Sequence, residues 1–284
     1  MALTIIKEGE PLSPSILEQT EEIVQLAINI WSERHDEVAI HELFKAIMQD
    51  EPMKMRRLAD IFHIDVASIH EMWIVGLAPF EGGDPPEELL KEAVRALKTY
   101  CAIAVGDLYE GRIILFSSDL PSLEEAESAM EALLRPLARY EDVTLTRCAG
   151  LQSTTEVRRA YLAETRYLPD AKKLFPSQRC FDLAEIHYAR ECRELIQRGE
   201  EAIAQCMRDF RRILKKNPDN ARTLLSYYLD AQYSVTRTAK LLYVHKNTIK
   251  YRLKVIGDLL GYRVDKMPES QKLYQAAAVY RMLE

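Results

Sequence analysis

"SVTRTAKLLYVHKNTIKYRLKVIGDLLG", residues 234–261, is the stretch on which the reading of this chain turns. Ser234 is a helix cap, and Val235, Ala239 and Leu242 follow it at i, i+4 and i+7, on one face of a short helix. After a turn at Tyr243-Val244 a further helix begins at His245 or Lys246. Its apolar Ile249, Leu253 and Ile256 fall within a narrow arc at about 100° per residue. Small Ala239 lets two steeply crossed backbones approach across so short a turn. With the amphipathic segment Leu224, Leu225, Tyr228 and Leu229 ahead of them, these helices have helix-turn-helix spacing.

The charge pattern gives that spacing a purpose. The 284-residue chain carries a formal net charge of -6, yet no Asp or Glu lies between Asp230 and Asp258, where Arg237, Lys240, Lys246, Lys250, Arg252 and Lys254 cluster. Each Lys or Arg that contacts a phosphate releases counterions, so a local cationic surface binds a duplex even on an acidic protein. A basic helix alone is more often a solvated face. The tight turn, the small residue and the acid-free window together favour DNA. The first turn of the later helix would enter the major groove and bring His245, Lys246, Asn247 and Thr248 to base edges; Lys suits guanine and Asn adenine. Thr248, Tyr251 and Arg252 project to the sides and outer face of that helix, within reach of bases or phosphates. Thr236, Arg237, Lys250 and Lys254 are expected to contact phosphates.

Upstream, the chain changes period. "MWIVGLAP" (72–79), "YCAIAVGD" (100–107), "GRIILFSS" (111–118) and "DVTLTRCAG" (142–150) are short, apolar or alternating, and read as strands. Asp84-Pro85 opens a helix between the first two. Ser122 with Glu125, and Ser153 with Glu156, form capping boxes ahead of two more. The order β-α-β-β-α-β-α suits a ferredoxin-like sheet with helices on one face. From Ser177 no strand signal survives. One helix runs to Gly199, and another carries Ile203, Cys206, Phe210, Ile213 and Leu214. Asn217-Pro218 is a cap followed by an N1 proline. Ahead of everything, Ser13-Pro14 starts a helix whose Ile16, Thr20, Ile23, Ala27 and Ile30 form a short apolar seam. The fold class is therefore α+β, a βαββαβ domain followed by an all-α domain. The expected domains are residues 1–40 (helical), 41–176 (α/β), 177–216 (helical connector) and 217–284 (helix-turn-helix).

Composition sets the outer bounds. With 48% hydrophobic and 29% charged residues the chain is a folded protein. It shows neither an apolar run of bilayer length nor a signal peptide, so the expected compartment is the cytoplasm, with no membrane partner. Five widely spaced cysteines suggest reduced thiols rather than disulfides or zinc.

The segment from Leu224 to Gly261 resembles the C-terminal helix-turn-helix of PucR/CdaR-type bacterial transcriptional regulators, in which V-H-x-N-T-x-x-Y-R-L is typical. Val244, His245, Asn247, Thr248, Tyr251, Arg252 and Leu253 match that signature. "KMPESQKLYQAAAVYRMLE" is similar to the family's closing helix, and the α/β region resembles its GGDEF-like domain. The resemblance implies control of catabolic or transport genes in response to a metabolite. It places effector sensing in the α/β domain or in a partner, since only about 40 residues precede that domain. Operators read as paired half-sites, together with the apolar helix from Ile16 to Trp31, imply a homodimer.

Enzyme readings fare less well. A GGDEF cyclase carries its signature on the hairpin between the second and third strands, where this chain has "GDLYEG" (106–111); "EGGD" (81–84) lies in a loop. Asp107 and Glu110 form at most a weak metal pair and read better as solvated turn residues. His63 and His70 lack a third ligand. Neither a phosphate-binding loop nor a nucleophile elbow is present. The expectation is no catalytic residue, no metal and no cofactor. The alternative is a nucleotide-binding or residual cyclase-like signalling module whose helix-turn-helix mediates protein contacts.

Overall fold

The computed structural model describes residues 40–62, 66–77, 87–101, 104–120, 122–138, 140 and 143–284. The N-terminal seam from Ile16, the Asp84-Pro85 helix start, "EGGD", His35 and His63 lie outside the described residues.

A five-stranded sheet forms the first body. Its strands are β1 (Glu71–Gly76), β2 (Ala104–Tyr109), β3 (Arg112–Ser117), β4 (Thr144–Cys148) and β5 (Cys180–Asp182), in the order β2-β3-β1-β4-β5. β1 is antiparallel to both β3 and β4, with Ile74 opposite Ile114 on one side and Thr146 on the other. The first four strands thus take the split β-α-β order expected from the sequence. Three readings need correction. β2 starts at Ala104 rather than Tyr100 and runs through Asp107 to Tyr109, so the hairpin turn is only Glu110-Gly111, with φ of 48° and 74°. That pair of left-handed residues is the geometry of a two-residue hairpin loop. β5 is a strand after Ser177, pairing parallel to β4 with Leu145 opposite Cys180; at three residues it is too short to show a period.

The third correction concerns the helices, which cover both faces of the sheet. On one face α3 (Glu87–Leu97) and α4 (Leu123–Leu137) bury Leu89, Ala93, Leu133 and Leu137 over Trp73, Val75, Ile113 and Leu115. On the other, α1 (residues 40–48) and α5 (Thr154–Leu174) bury Phe44, Ile47, Val157 and Tyr161 over Met72, Ile74, Ile114 and Phe116. Phe44 stacks on Phe116 at 4.3 Å. The reason is visible in the strands: Met72–Val75 and Ile113–Phe116 are apolar at every position, which demands two covered faces. A further helix, α2 (Pro52–Phe62), follows α1. Both expected caps are present, Ser122 Oγ accepting from the Glu125 amide at 3.2 Å and Ser153 Oγ from the Glu156 amide at 3.3 Å.

The second body is helical: α6 (Leu183–Gln197), α7 (Glu200–Cys206), α8 (Arg208–Lys216), α9 (Pro218–Leu225), α10 (Val235–Leu241), α11 (Lys246–Leu260) and α12 (Glu269–Leu283). The helix expected across Ile203 to Leu214 is broken at buried Met207. α9 does not continue regularly. It widens into a π turn over Ser226–Asp230, closed by the Ala231 amide on the Ser226 carbonyl at 2.8 Å, which buries Tyr227, Tyr228 and Leu229. One core runs from Leu168, Ala171 and Leu174 of α5 through Phe181, Ile186, Phe210 and Leu224 to Ile256, Leu273 and Val279. Arg281 of α12 ties it together, donating to Asp230 at 2.7 Å and to the Leu174 carbonyl at 2.8 Å.

Candidate nucleic-acid interface

The site grows from two caps and a turn. Ser234 has an extended backbone and its Oγ accepts from the Arg237 amide at 3.2 Å, which fixes the start of α10. Thr238 and Ala239 are buried, and the Thr238 hydroxyl is spent on the Ser234 carbonyl at 2.7 Å, so no polar group is stranded where α10 meets α11. α10 ends in a Schellman motif: the Val244 amide bonds to the Ala239 carbonyl at 3.0 Å and the Tyr243 amide to that of Lys240 at 3.3 Å. Its left-handed residue is Tyr243, at φ 54°, where glycine is the usual occupant. The turn therefore presents an aromatic ring that is 96% exposed.

α11 opens on His245, whose Nδ1 accepts from the Asn247 amide at 3.2 Å and so is the unprotonated nitrogen of the ring. Its first turn has no acidic residue, the reverse of what a helix N-terminus prefers, and carries Lys246 instead. The excess positive potential is left to solvent, where it favours an anionic partner. Ile249 and Ile256 are fully buried. Lys246, Lys250, Lys254, Asn247 and Tyr251 are exposed and share an arc of about 140°. Lys246, Lys250 and Lys254 form no ion pair among the described residues. Thr236 and Arg237 are exposed on the first turn of α10, and Thr236, Lys240, Tyr243, His245 and Lys246 line one shallow concavity.

Two of the residues named from sequence sit apart from this face. Thr248 is half-buried, and Arg252 turns back to α9, donating to Asp219 Oδ2 at 3.0 Å and Thr223 Oγ1 at 3.1 Å. Conversely, Tyr243 and Lys240 belong to the exposed face but were not assigned to it from sequence. The available signal was a bulky aromatic at a helix C-terminus where a glycine is expected.

Of the two hairpin acids, Glu110 is exposed in the turn, as expected, whereas Asp107 is largely covered within β2. Asp107 Oδ2 lies 2.7 Å from His41 Nδ1, and Glu110 accepts from the Tyr161 hydroxyl at 2.7 Å. His70 is hydrogen-bonded through both ring nitrogens, to Asp119 and to the Ala67 carbonyl. Among the described residues no group of three or more His, Cys, Asp or Glu is placed to hold a metal ion, and no helix is long and apolar enough to cross a membrane.

Comparison with known proteins falls on this same region. Residues 210–279 match the PucR C-terminal helix-turn-helix domain. Over 59 residues the chain is 37% identical to the purine catabolism regulatory protein of Bacillus subtilis (strain 168); the match takes in 21% of this chain and 11% of that protein. The crystal structure of a regulator of polyketide synthase expression from Bifidobacterium adolescentis aligns over 88% of this chain and 94% of that one, at 19% identity and a TM-score of 0.41. The crossed pair α10–α11, its capped turn and its cationic outer face thus lie within the stretch, residues 210–279, that matches the PucR C-terminal helix-turn-helix domain.

Proposed function

We propose that the chain is a sequence-specific DNA-binding transcriptional regulator that acts as a homodimer and responds to a metabolite. The observation that carries the reading is the outer face of α11, where three lysines, an amide and a phenol are exposed together on a helix whose opposite side is locked into the core. Lys246 and Asn247 lead into the major groove. Lys250, Lys254, Thr236 and Arg237 hold the phosphates, His245 fixes the first turn, and Tyr243 and Tyr251 offer ring faces or hydroxyls at the edges. Thr248, half-buried, stands to the side of that turn. Arg252 acts from behind, holding α11 against α9. Control of catabolic genes is supported by the likeness to the purine catabolism regulatory protein of Bacillus subtilis. No separate observation favours a cyclase-like module, because Asp107 and Glu110 are both committed to neighbouring side chains.

Selection of bound duplexes from a random DNA pool tests the proposal, followed by affinity measured against salt. A defined sequence is expected, often with two related half-sites, and an affinity that falls steeply as salt rises. Binding that shows no sequence preference and is indifferent to Lys246→Ala with Asn247→Ala rejects it.

A further inference from the structure

A second cationic feature lies away from α11. A cleft of about 660 Å³ opens between α5 and α6, roofed by the loop that leaves β4. Arg159 and Arg166 reach it from α5, seven residues apart and so two turns along one face. Arg190 enters from α6. Its Nε is buried without a hydrogen bond, although the side chain as a whole is 40% exposed and forms an ion pair with Glu194, one turn on, at 3.6 Å. The other acid on the rim, Glu156, already accepts from the Gln152 amide at 2.7 Å. Burial and the adjacent Arg190 hold the His187 imidazole below its usual range, so it is a neutral partner rather than a fourth cation. The floor is apolar: Leu151, Ala160, Ala163 and Leu183. Arg166 lies over the Tyr167 ring, 5.4 Å from its centre.

Position strengthens the chemistry. β4 and β5 are the parallel pair of the sheet, and the cleft is lined by Ala149, Gly150 and Leu151 just beyond the carboxyl end of β4 and by Leu183 just beyond that of β5. The carboxyl edge of parallel strands is where open α/β sheets bind ligands. A donor left buried without a partner is costly, and an incoming acceptor removes that cost.

We propose that this cleft binds a small organic anion, a carboxylate on a flat apolar body, with Arg190 and Arg166 holding the carboxylate and the alanine and leucine floor holding the body. Its role as the effector site rests on the regulator reading; its capacity to bind an anion does not. Because α5 and α6 also build the helical core that carries α9 to α12, a ligand wedged between them acts on the frame of the DNA-binding domain.

The full chain is titrated with 1-anilinonaphthalene-8-sulfonate, an anionic fluorophore with a flat apolar body, and the bound dye is displaced with benzoate or its neutral isostere benzamide. One saturable site is expected, displaced by benzoate and not by benzamide. Arg190→Gln and Arg166→Gln should each weaken it roughly tenfold, with unchanged circular dichroism. Lys250→Gln with Lys254→Gln, beside a different groove, should leave it unaltered. Dye binding that ignores the two arginines, or follows the two lysines, overturns the proposal. DNA binding is followed in the same samples. A protein that binds its selected duplex but lacks the arginine-dependent site refutes the anion cleft alone. One that has the site and binds no DNA refutes the regulator reading alone.

Discussion

Arg252 of α11 donates to Asp219 on the first turn of α9, 3.0 Å from Nη2 to Oδ2, and by its other amine to Thr223 at 3.1 Å. The bond spans the back of the helix-turn-helix pair and ties α11 to α9. The arginine is largely covered while the aspartate is more than half exposed, so the coupling is modest, about 1 kcal/mol. A double-mutant cycle of Arg252→Ala and Asp219→Ala, read by chemical denaturation, should return a coupling of that size. Both variants should weaken operator binding similarly, because each releases the same restraint.

The exposed face should separate binding from stability. Lys246→Ala and Asn247→Ala remove exposed side chains, so the unfolding free energy should stay within about 0.5 kcal/mol of the wild type. Operator affinity, followed by fluorescence anisotropy, should fall by about 1–3 kcal/mol for each base-reading residue lost. The slope of log affinity against log salt should shrink by about one for Lys250→Ala, which removes a proposed phosphate contact.

Tyr243 holds a left-handed backbone that an L-residue occupies at a cost of about 1–2 kcal/mol. Tyr243→Gly relieves that cost and raises the entropy of the unfolded chain, leaving a net gain of about 0.5–1 kcal/mol in unfolding free energy. Operator affinity should drop at the same time, since the exposed ring is lost.

Ala239 is buried on α10, which packs against α11. Ala239→Leu forces the helices apart at a cost of about 1–3 kcal/mol. Denaturant unfolding measures the loss, and amide exchange should rise first in α10.

Burial raises the carboxyl pKa of Glu185 above its ordinary value, although the side chain caps α6 by accepting from the Asp182 amide at 3.0 Å. The folded state therefore holds this proton more tightly than the unfolded chain. Its stabilising effect is complete below the unfolded pKa and is lost as pH rises through the folded one. Glu185→Gln keeps the cap and removes the titration. The variant should match the wild type near pH 4 and become the more stable of the two towards pH 7, as thermal unfolding across that range will show.

Sequence alone was most informative where one period dominated. Ile249, Leu253 and Ile256 placed the inner side of α11, and Ser122, Ser153 and Ser234 placed helix starts that the structure reproduces. It was least informative where a choice depends on a distant neighbour. Cys180–Asp182 is a strand only because β4 offers it an edge. The second covered face of the sheet was implicit in unbroken apolar strands, but the helix that covers it is named by packing alone. Arg252 fitted the cationic pattern and was placed by an aspartate 33 residues away in the chain. Tyr243 escaped notice because a turn residue is ordinarily judged by its backbone and not by what its side chain shows to solvent.

The longest helix among the described residues, α5, is clasped at both ends by different interiors: Val157, Ala160 and Tyr161 belong to the layer beneath the sheet, and Leu168, Ala171 and Leu174 to the helical core. Over its 21 residues it reaches about 30 Å. Pro169 lies within it, close to where the one set of contacts gives way to the other, and removes a backbone donor there, so α5 is not a uniformly hydrogen-bonded rod: its weakest point falls at the junction of the two interiors.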